Sequence, residues 1–276
     1  MKKRITILCL LILAGLYLLP IALTFSSSFM GQKELNALYS GQSVHLRLIP
    51  EQVTLDGYFE LIFANEKYLS MFWRSMTIAV CISLGSTLIS LFVGFTLTKI
   101  SLPRGQMLRF LYTFLMMMPF QVTLLPNYMM IRRLGLYNTV WALILPGIFA
   151  PMGVFLVSQF MRSMPDEILE ASALETNSIS ITTIYIIVPM SSPVLTAQFL
   201  LSFAEAWNMV EQPLVLLEDE WNYPLSLALN NISGNQMLVV FSGAVLYLMP
   251  MIFLYKSFES LLIQGIGTTE CEVKIK

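Results

Sequence analysis

Charge is scarce in this chain. Of its 276 residues only 12% are charged, about half the roughly 25% usual in soluble proteins, while 56% are hydrophobic. Such a composition cannot cover a water-facing surface, so most of the surface must face lipid or partner helices. The formal net charge is −1, and the lack of a basic excess argues against nucleic acid as a partner. Histidine is nearly absent. His45 is the only one and lies in a polar segment, where it reads as a solvated residue rather than a ligand. Cysteine is as sparse: Cys9 and Cys81 fall in apolar runs, Cys271 lies near the C-terminus, and no C-x-x-C or Cys/His metal spacing occurs. There is no G-x-x-x-x-G-K-[ST] phosphate loop. No paired carboxylates, Ser/His/Asp set or metal cluster converges on one face, which argues against a membrane enzyme.

Long uncharged runs are what the sequence has instead. Crossing the hydrocarbon core takes about 20 apolar residues in a helix, and six runs reach that length: 5–32, 75–98, 110–131, 134–161, 176–204 and 221–255. The last is apolar enough only over 237–255. The first run is far longer than the roughly 7–15 residues of a signal-peptide core, so it reads as an uncleaved first span. Lipid offers no partners for backbone N–H and C=O groups, so the spans must be helices. With the N-terminus inside, inside segments hold ten Lys/Arg and outside segments six, a bias that places both termini in the cytoplasm. The expected organisation is one membrane domain over 1–276. Its parts are a first helix at 5–32, an external segment at 33–74, a core at 75–255 with an internal loop at 162–178, and a cytoplasmic tail at 256–276. The last external segment carries Glu205, Glu211, Glu218, Asp219 and Glu220, an acidity that solvation explains. Asn231-Ile232-Ser233 matches a glycosylation triplet of a kind that arises often by chance.

Prolines 119, 126, 146, 151, 189, 193 and 250 fall within or beside the spans. Each removes a backbone donor and favours a kink. Ordinary irregularity and the shaping of a path through the protein are both open readings. The internal loop is more specific. Its Ser163 and Asp166 fit a capping box, and Pro165 fits the first helical turn. Asp166 and Glu167 then sit where the helix dipole favours anions. Residues 168–175 are good helix formers, and Asn177-Ser178 is a plausible stop. The loop therefore predicts a short amphipathic helix between spans four and five. Periodicity alone leaves open whether it is a plain surface helix or docks into a partner's groove.

Glu170-Ala171-Ser172, followed by an apolar stretch through Ile187-Val188-Pro189 and Pro193, resembles the EAA loop of ABC importer permeases. Further stretches in the right order are similar to the carbohydrate-type subfamily, on the side of the maltose-type second permease. They include Leu48-Ile49-Pro50, Thr54-Leu55-Asp56-Gly57-Tyr58, Gln121-Val122 to Pro126, Leu134-Gly135-Leu136-Tyr137-Asn138-Thr139 and Trp207-Asn208. Ser172 stands for the motif's second alanine, Glu175 for its aspartate and Thr176 for its glycine. Because glycine permits φ > 0 and threonine tolerates it poorly, the turn at Thr176 must be built differently or the helix must run on.

The resemblance implies an all-α integral membrane protein of about six transmembrane helices, with type I ABC importer permease architecture and a cytoplasmic coupling helix. It implies a multi-pass protein of a bacterial or archaeal plasma membrane. Its implied partners are a sister permease subunit, two ATP-binding subunits and an external solute-binding protein. This chain itself would bind no cofactor, and ATP-Mg would be used by the partner subunit. Glu170, Ala171, Ser172, Glu175 and Thr176 would couple to the ATPase. The alternative is an ion-coupled secondary transporter or channel, but the centres of all six runs lack Asp, Glu, Lys, Arg and His, the groups such proteins commonly place there. For the solute, Asn127, Tyr128 and Gln198 are candidate contacts along the path. Within the resembling family the solute is an oligosaccharide, a monosaccharide or glycerol phosphate.

Overall fold

The computed structural model describes residues 2–39, 47–64, 66–100, 103–176, 178–230 and 237–273, with backbone alone at 2, 66, 228–230 and 262–273. His45, Asn177 and the triplet at 231–233 lie outside the described residues, as does the side chain of Cys271. Among the described residues there are helices and no strand. They are α1 (Lys2–Ser27), α2 (Gln32–Tyr39), α3 (Asp56–Phe59), α4 (Glu66–Lys99), α5 (Gly105–Met116), α6 (Phe120–Arg133), α7 (Trp141–Ile148), α8 (Pro151–Ser163), α9 (Glu167–Glu175), α10 (Ile179–Thr182), α11 (Val188–Met190), α12 (Ser192–Trp207), α13 (Glu211–Leu216), α14 (Leu225–Asn230) and α15 (Met237–Val273). Short π-helical turns follow α3 at Glu60–Ala64 and α10 at Thr183–Ile187.

Four helical stretches are long and apolar enough to cross a membrane: Lys3–Ser27, Lys67–Lys99, Trp141–Ser163 and Met237–Leu261. Two further pairs qualify when each is counted as one bent span, α5 with α6 at 101° and the stretch Ile179–Met190 with α12 at 78°. The sum matches the six uncharged runs. The second span differs in extent: α4 begins at Glu66, not near 75, and carries Lys67 and Arg74 within the helix. Arg74 donates to the Asn222 side chain at 3.1 Å, which supports a charged turn there.

Proline sets three of the breaks. Pro119 caps the start of α6 in an extended conformation, and Pro151 and Pro193 occupy the first turns of α8 and α12. A first-turn proline loses no helical hydrogen bond and is pre-set in φ. By contrast Pro20, Pro126, Pro146 and Pro250 stay inside helices.

The described chain forms two compact units. The first holds residues 1–73 and 224–250. Its apolar cores join Leu61, Tyr68, Met71, Leu225 and Val239 in one cluster, and Met30, Leu35, Leu38 and Leu238 in another. Hydroxyls of Ser27 and Ser28 pair with those of Tyr39 and Tyr58 at 3.1 and 2.8 Å. Most of α1 stays uncovered, with Leu11 65% and Tyr17 74% exposed, which is the surface of a helix made for lipid or a partner.

The second unit holds residues 74–223 and 251–276. Its central apolar cluster is Leu91 and Phe95 of α4, Val157 and Met161 of α8, with Met164 and Ile187. Gly94 lets α4 and α8 close together: a Cβ there would lie 2.8 Å from Val157. Small residues permit such approach where lipid supplies no hydrophobic drive between helices.

Candidate functional site

The short helix expected in the internal loop is present as α9. Its entry is built differently from the expected capping box. Ser163 still belongs to α8, and its hydroxyl donates to the Phe160 carbonyl at 2.8 Å. Pro165 precedes the cap. The N-cap is Asp166, which makes no side-chain bond to the helix's own N–H groups. Its carboxylate instead accepts from the Lys99 ammonium at 2.5 Å. That pairing joins two full charges, where a cap would give the carboxylate only a backbone N–H dipole.

The exit answers the question raised by Thr176. Its φ is −150° and its ψ 138°, so it is extended and no left-handed residue is required. The Ser178 N–H donates to the Thr176 hydroxyl at 3.2 Å and closes the turn.

The two faces of α9 are sharply different. Ile168 and Leu169 pack on the central apolar cluster. Ser172, one turn on, is buried at 5% exposure; its hydroxyl donates to the Leu169 carbonyl and meets the Thr182 hydroxyl at 3.4 Å. Spacing of three and four residues puts these on one side. The opposite side carries Glu170, Ala171 and Leu174, all exposed, and Glu175 in the last turn is exposed as well. Leu174 is 91% exposed. The Glu170 carboxylate has no partner among the described residues. Of the five candidate coupling residues, then, Glu170, Ala171 and Glu175 face outward, Ser172 faces the protein's own core, and Thr176 is half-buried at the turn. Leu174 was not singled out from the sequence. Its signal was an apolar residue four positions after Glu170, on what would otherwise be a polar face.

A cavity of about 620 Å³ opens in the second unit where the bent spans break. Met118 and Phe120 at the α5–α6 bend line it, as do Phe149, Ala150 and Pro151 at the α7–α8 break. The proline breaks thus shape a cavity. Its polar groups come from Thr123, Asn127, Ser202, Glu205 and Gln212. The Gln212 side-chain carbonyl is buried without a hydrogen-bond partner among the described residues. No lysine, arginine or histidine lines it among the described residues.

Of the three path candidates, only Asn127 lies on this wall. Gln198 is 2% exposed and donates to the Ser202 hydroxyl at 2.8 Å. It occupies the space left by Gly153, where an added Cβ would come within 2.3 Å of it. Tyr128 packs edge-on against Tyr137, with the Arg132 guanidinium 5.2 Å from its ring centre. Glu205 and Gln212 were missed because polar residues just beyond an apolar run look like simple solvation.

The sequence profile of the family described as "Binding-protein-dependent transport system inner membrane component" matches residues 86–268. An arabinooligosaccharides transport system permease protein (AraQ) of Halalkalibacterium halodurans is 29% identical over 220 residues, 79% of each chain. The AraQ protein of Bacillus subtilis is 24% identical over 259 residues, 93% of this chain and 91% of the relative. The sn-glycerol-3-phosphate transport system permease protein UgpE of Brucella abortus is 23% identical over 236 residues, 82% and 84% of the two chains. In three dimensions the chain is similar to one from a bacterial ABC transporter involved in the import of the acidic polysaccharide alginate. The TM-score is 0.81 at 19% identity, over 94% of this chain and 95% of the other.

Proposed function

We infer the role of this chain from its family, for it belongs to the binding-protein-dependent transport system inner membrane components: it is a non-catalytic, membrane-spanning permease subunit of an ATP-driven importer. A chain of this family works with an ATPase and a solute-binding protein. The finer assembly we propose is one sister permease, two ATP-binding subunits and one external binding protein, with both termini of this chain cytoplasmic. ATP and magnesium are then handled by the ATP-binding subunits. This chain forms half of the translocation path for a carbohydrate or related solute.

The observation that carries the coupling half of this reading is the outward face of α9. Glu170 and Glu175 flank Ala171 and Leu174 there, with an exposed leucine at the tip. A small residue permits close backbone approach, the leucine offers an apolar anchor, and the unpaired Glu170 carboxylate can meet a cation or backbone donors. That combination suits insertion into a cleft of the ATPase.

The cavity wall bears on the solute. Among the described residues it offers carboxylate, amide and hydroxyl groups and no cation. Sugar hydroxyls donate well to such acceptors, whereas an anion placed beside a carboxylate with no cation is poorly solvated. A neutral polyhydroxylated solute fits this wall better than a phosphate ester or an acidic polysaccharide. Reconstituted vesicles containing the whole complex and its binding protein test the reading. ATP should drive uptake of an arabinooligosaccharide, and an ionophore should not stop it while internal ATP holds steady. Uptake that collapses with the ion gradient at constant ATP would return the ion-coupled alternative.

A further inference from the structure

Lys99 ends α4, and its side chain is only 5% exposed. Its ammonium lies 2.5 Å from the Met164 carbonyl and 2.5 Å from the Asp166 carboxylate. These two acceptors are the C-cap of α8 and the N-cap of α9. The cation sits at a helix C-terminus and the anion at a helix N-terminus, the placement each macrodipole favours. Arg109 adds a second donor to the same end of α4, bonding the Leu97 carbonyl at 2.6 Å.

Exposed ion pairs are usually weak, and the Asp166 carboxylate is 77% exposed. The asymmetry decides the matter here. The buried partner is the ammonium, and a buried ammonium left short of acceptors is costly. Lys99 therefore holds the entry of α9 because its own burial demands those two oxygens. The middle of the same helix carries Ile82, a cavity-lining residue. Lys99 is thus the polar tie between α9 and a helix that walls the cavity.

We propose that Lys99 and Asp166 form a latch that makes α4 follow α9, so that movement imposed on α9 by the ATPase is delivered to the cavity wall. This rests on the reading of α9 as the docking helix. Lys99 is a positioning residue: it acts through α9 and not on the solute. Asp166→Asn keeps the shape and removes the charge, so that the tie to the N-cap of α9 falls from an ion pair to a single neutral-acceptor hydrogen bond. Lys99→Arg keeps a cation.

The test uses the full complex in nanodiscs, with spin labels on cysteines replacing Ala173 on α9 and Phe92 on α4, both exposed. Distances are compared before and after trapping with ATP and vanadate. In the otherwise unaltered complex and in Lys99→Arg the α9–α4 distance should stay constant through trapping. In Asp166→Asn it should change on trapping by about 1–2 Å or more, the scale of helix shifts in switching proteins. A distance that changes on trapping without any latch substitution overturns the latch, as does one that stays constant in Asp166→Asn. ATPase co-purification with Ala171→Trp reports separately on docking: full retention there sinks the docking reading and leaves the distance result to speak for the latch alone.

Discussion

Residues 132–139 with 216–223 and residues 162–176 are two polar segments of the second unit, and they spend their polar groups in opposite ways. In the first, the groups satisfy one another. Asn138 holds φ +59°, and its side-chain oxygen accepts from the N–H groups of Glu218 and Asp219 at 2.9 and 3.1 Å. Its amide donates to Asp219 at 2.6 Å, and its own N–H donates to the Leu216 carbonyl at 3.0 Å. The Arg132 guanidinium lies 4.1 Å from the Tyr137 ring centre and 4.0 Å from Glu218. In the second, Lys99 ties inward to Met164 and Asp166 and Ser172 meets Thr182, but Glu170, Leu174 and Glu175 are exposed and make no side-chain bond among the described residues. A closed network stiffens a fold, whereas an open face on an anchored helix is built for something outside the chain. Residues 132–139 with 216–223 thus brace the fold, whereas α9 leaves open the face that we propose docks on the ATPase.

The contrast can be broken by substitution. Ala171→Trp has the largest expected effect. It should abolish ATPase co-purification by steric exclusion while leaving the thermal midpoint of the extracted permease unchanged, as a fluorescence melt would show. A lowered midpoint would make α9 a structural element. Leu174→Ser follows. If the leucine is buried in the complex, its loss costs about 1.5–3 kcal/mol of docking, roughly ten- to a hundred-fold in affinity, read by titration with the purified ATPase. Equal affinity would remove Leu174 from the contact. Asn138→Ala should do the reverse. It removes four side-chain hydrogen bonds and leaves a Cβ-bearing residue at positive φ, costing about 1–3 kcal/mol of stability with ATPase affinity unaltered. Weakened docking with normal stability would erase the distinction between the two ends. Ser172→Ala is the smallest, about 1 kcal/mol or less of stability, because its hydroxyl bonds stay within its own helix and to Thr182. A docking defect larger than its stability defect would place Ser172 at the interface after all.

Much of the fold was legible because lipid imposes a blunt rule. Any uncharged run of the right length must be a helix, and all six runs became spans or bent pairs. Which prolines break a helix was not legible. Pro126 and Pro146 are tolerated inside α6 and α7, whereas Pro119, Pro151 and Pro193 begin new helices, and the difference lies in neighbours that only packing supplies. Within the site, the existence of α9 followed from local helix signals. The inward turn of Ser172 follows from its spacing to Ile168 and Leu169, a pattern that the motif resemblance overshadowed. The Lys99–Asp166 pair joins residues 67 positions apart, and no local signal predicts such a contact. The polar wall of the cavity was hidden for the same reason, since Glu205 and Gln212 meet Asn127 only through tertiary structure.

The central claim is that the open face of α9 engages the ATPase through Glu170. ATPase co-purification and solute uptake, measured for Glu170→Ala beside the exposed control Glu259→Ala, test it most directly. Removing one member of a buried interfacial charge pair costs about 2–5 kcal/mol, whereas an ordinary surface substitution stays within about 0.5 kcal/mol. The account predicts at least a tenfold loss of assembly or of coupled uptake for Glu170→Ala at normal protein abundance, with Glu259→Ala unchanged. Equal assembly and equal uptake in the two variants would contradict it.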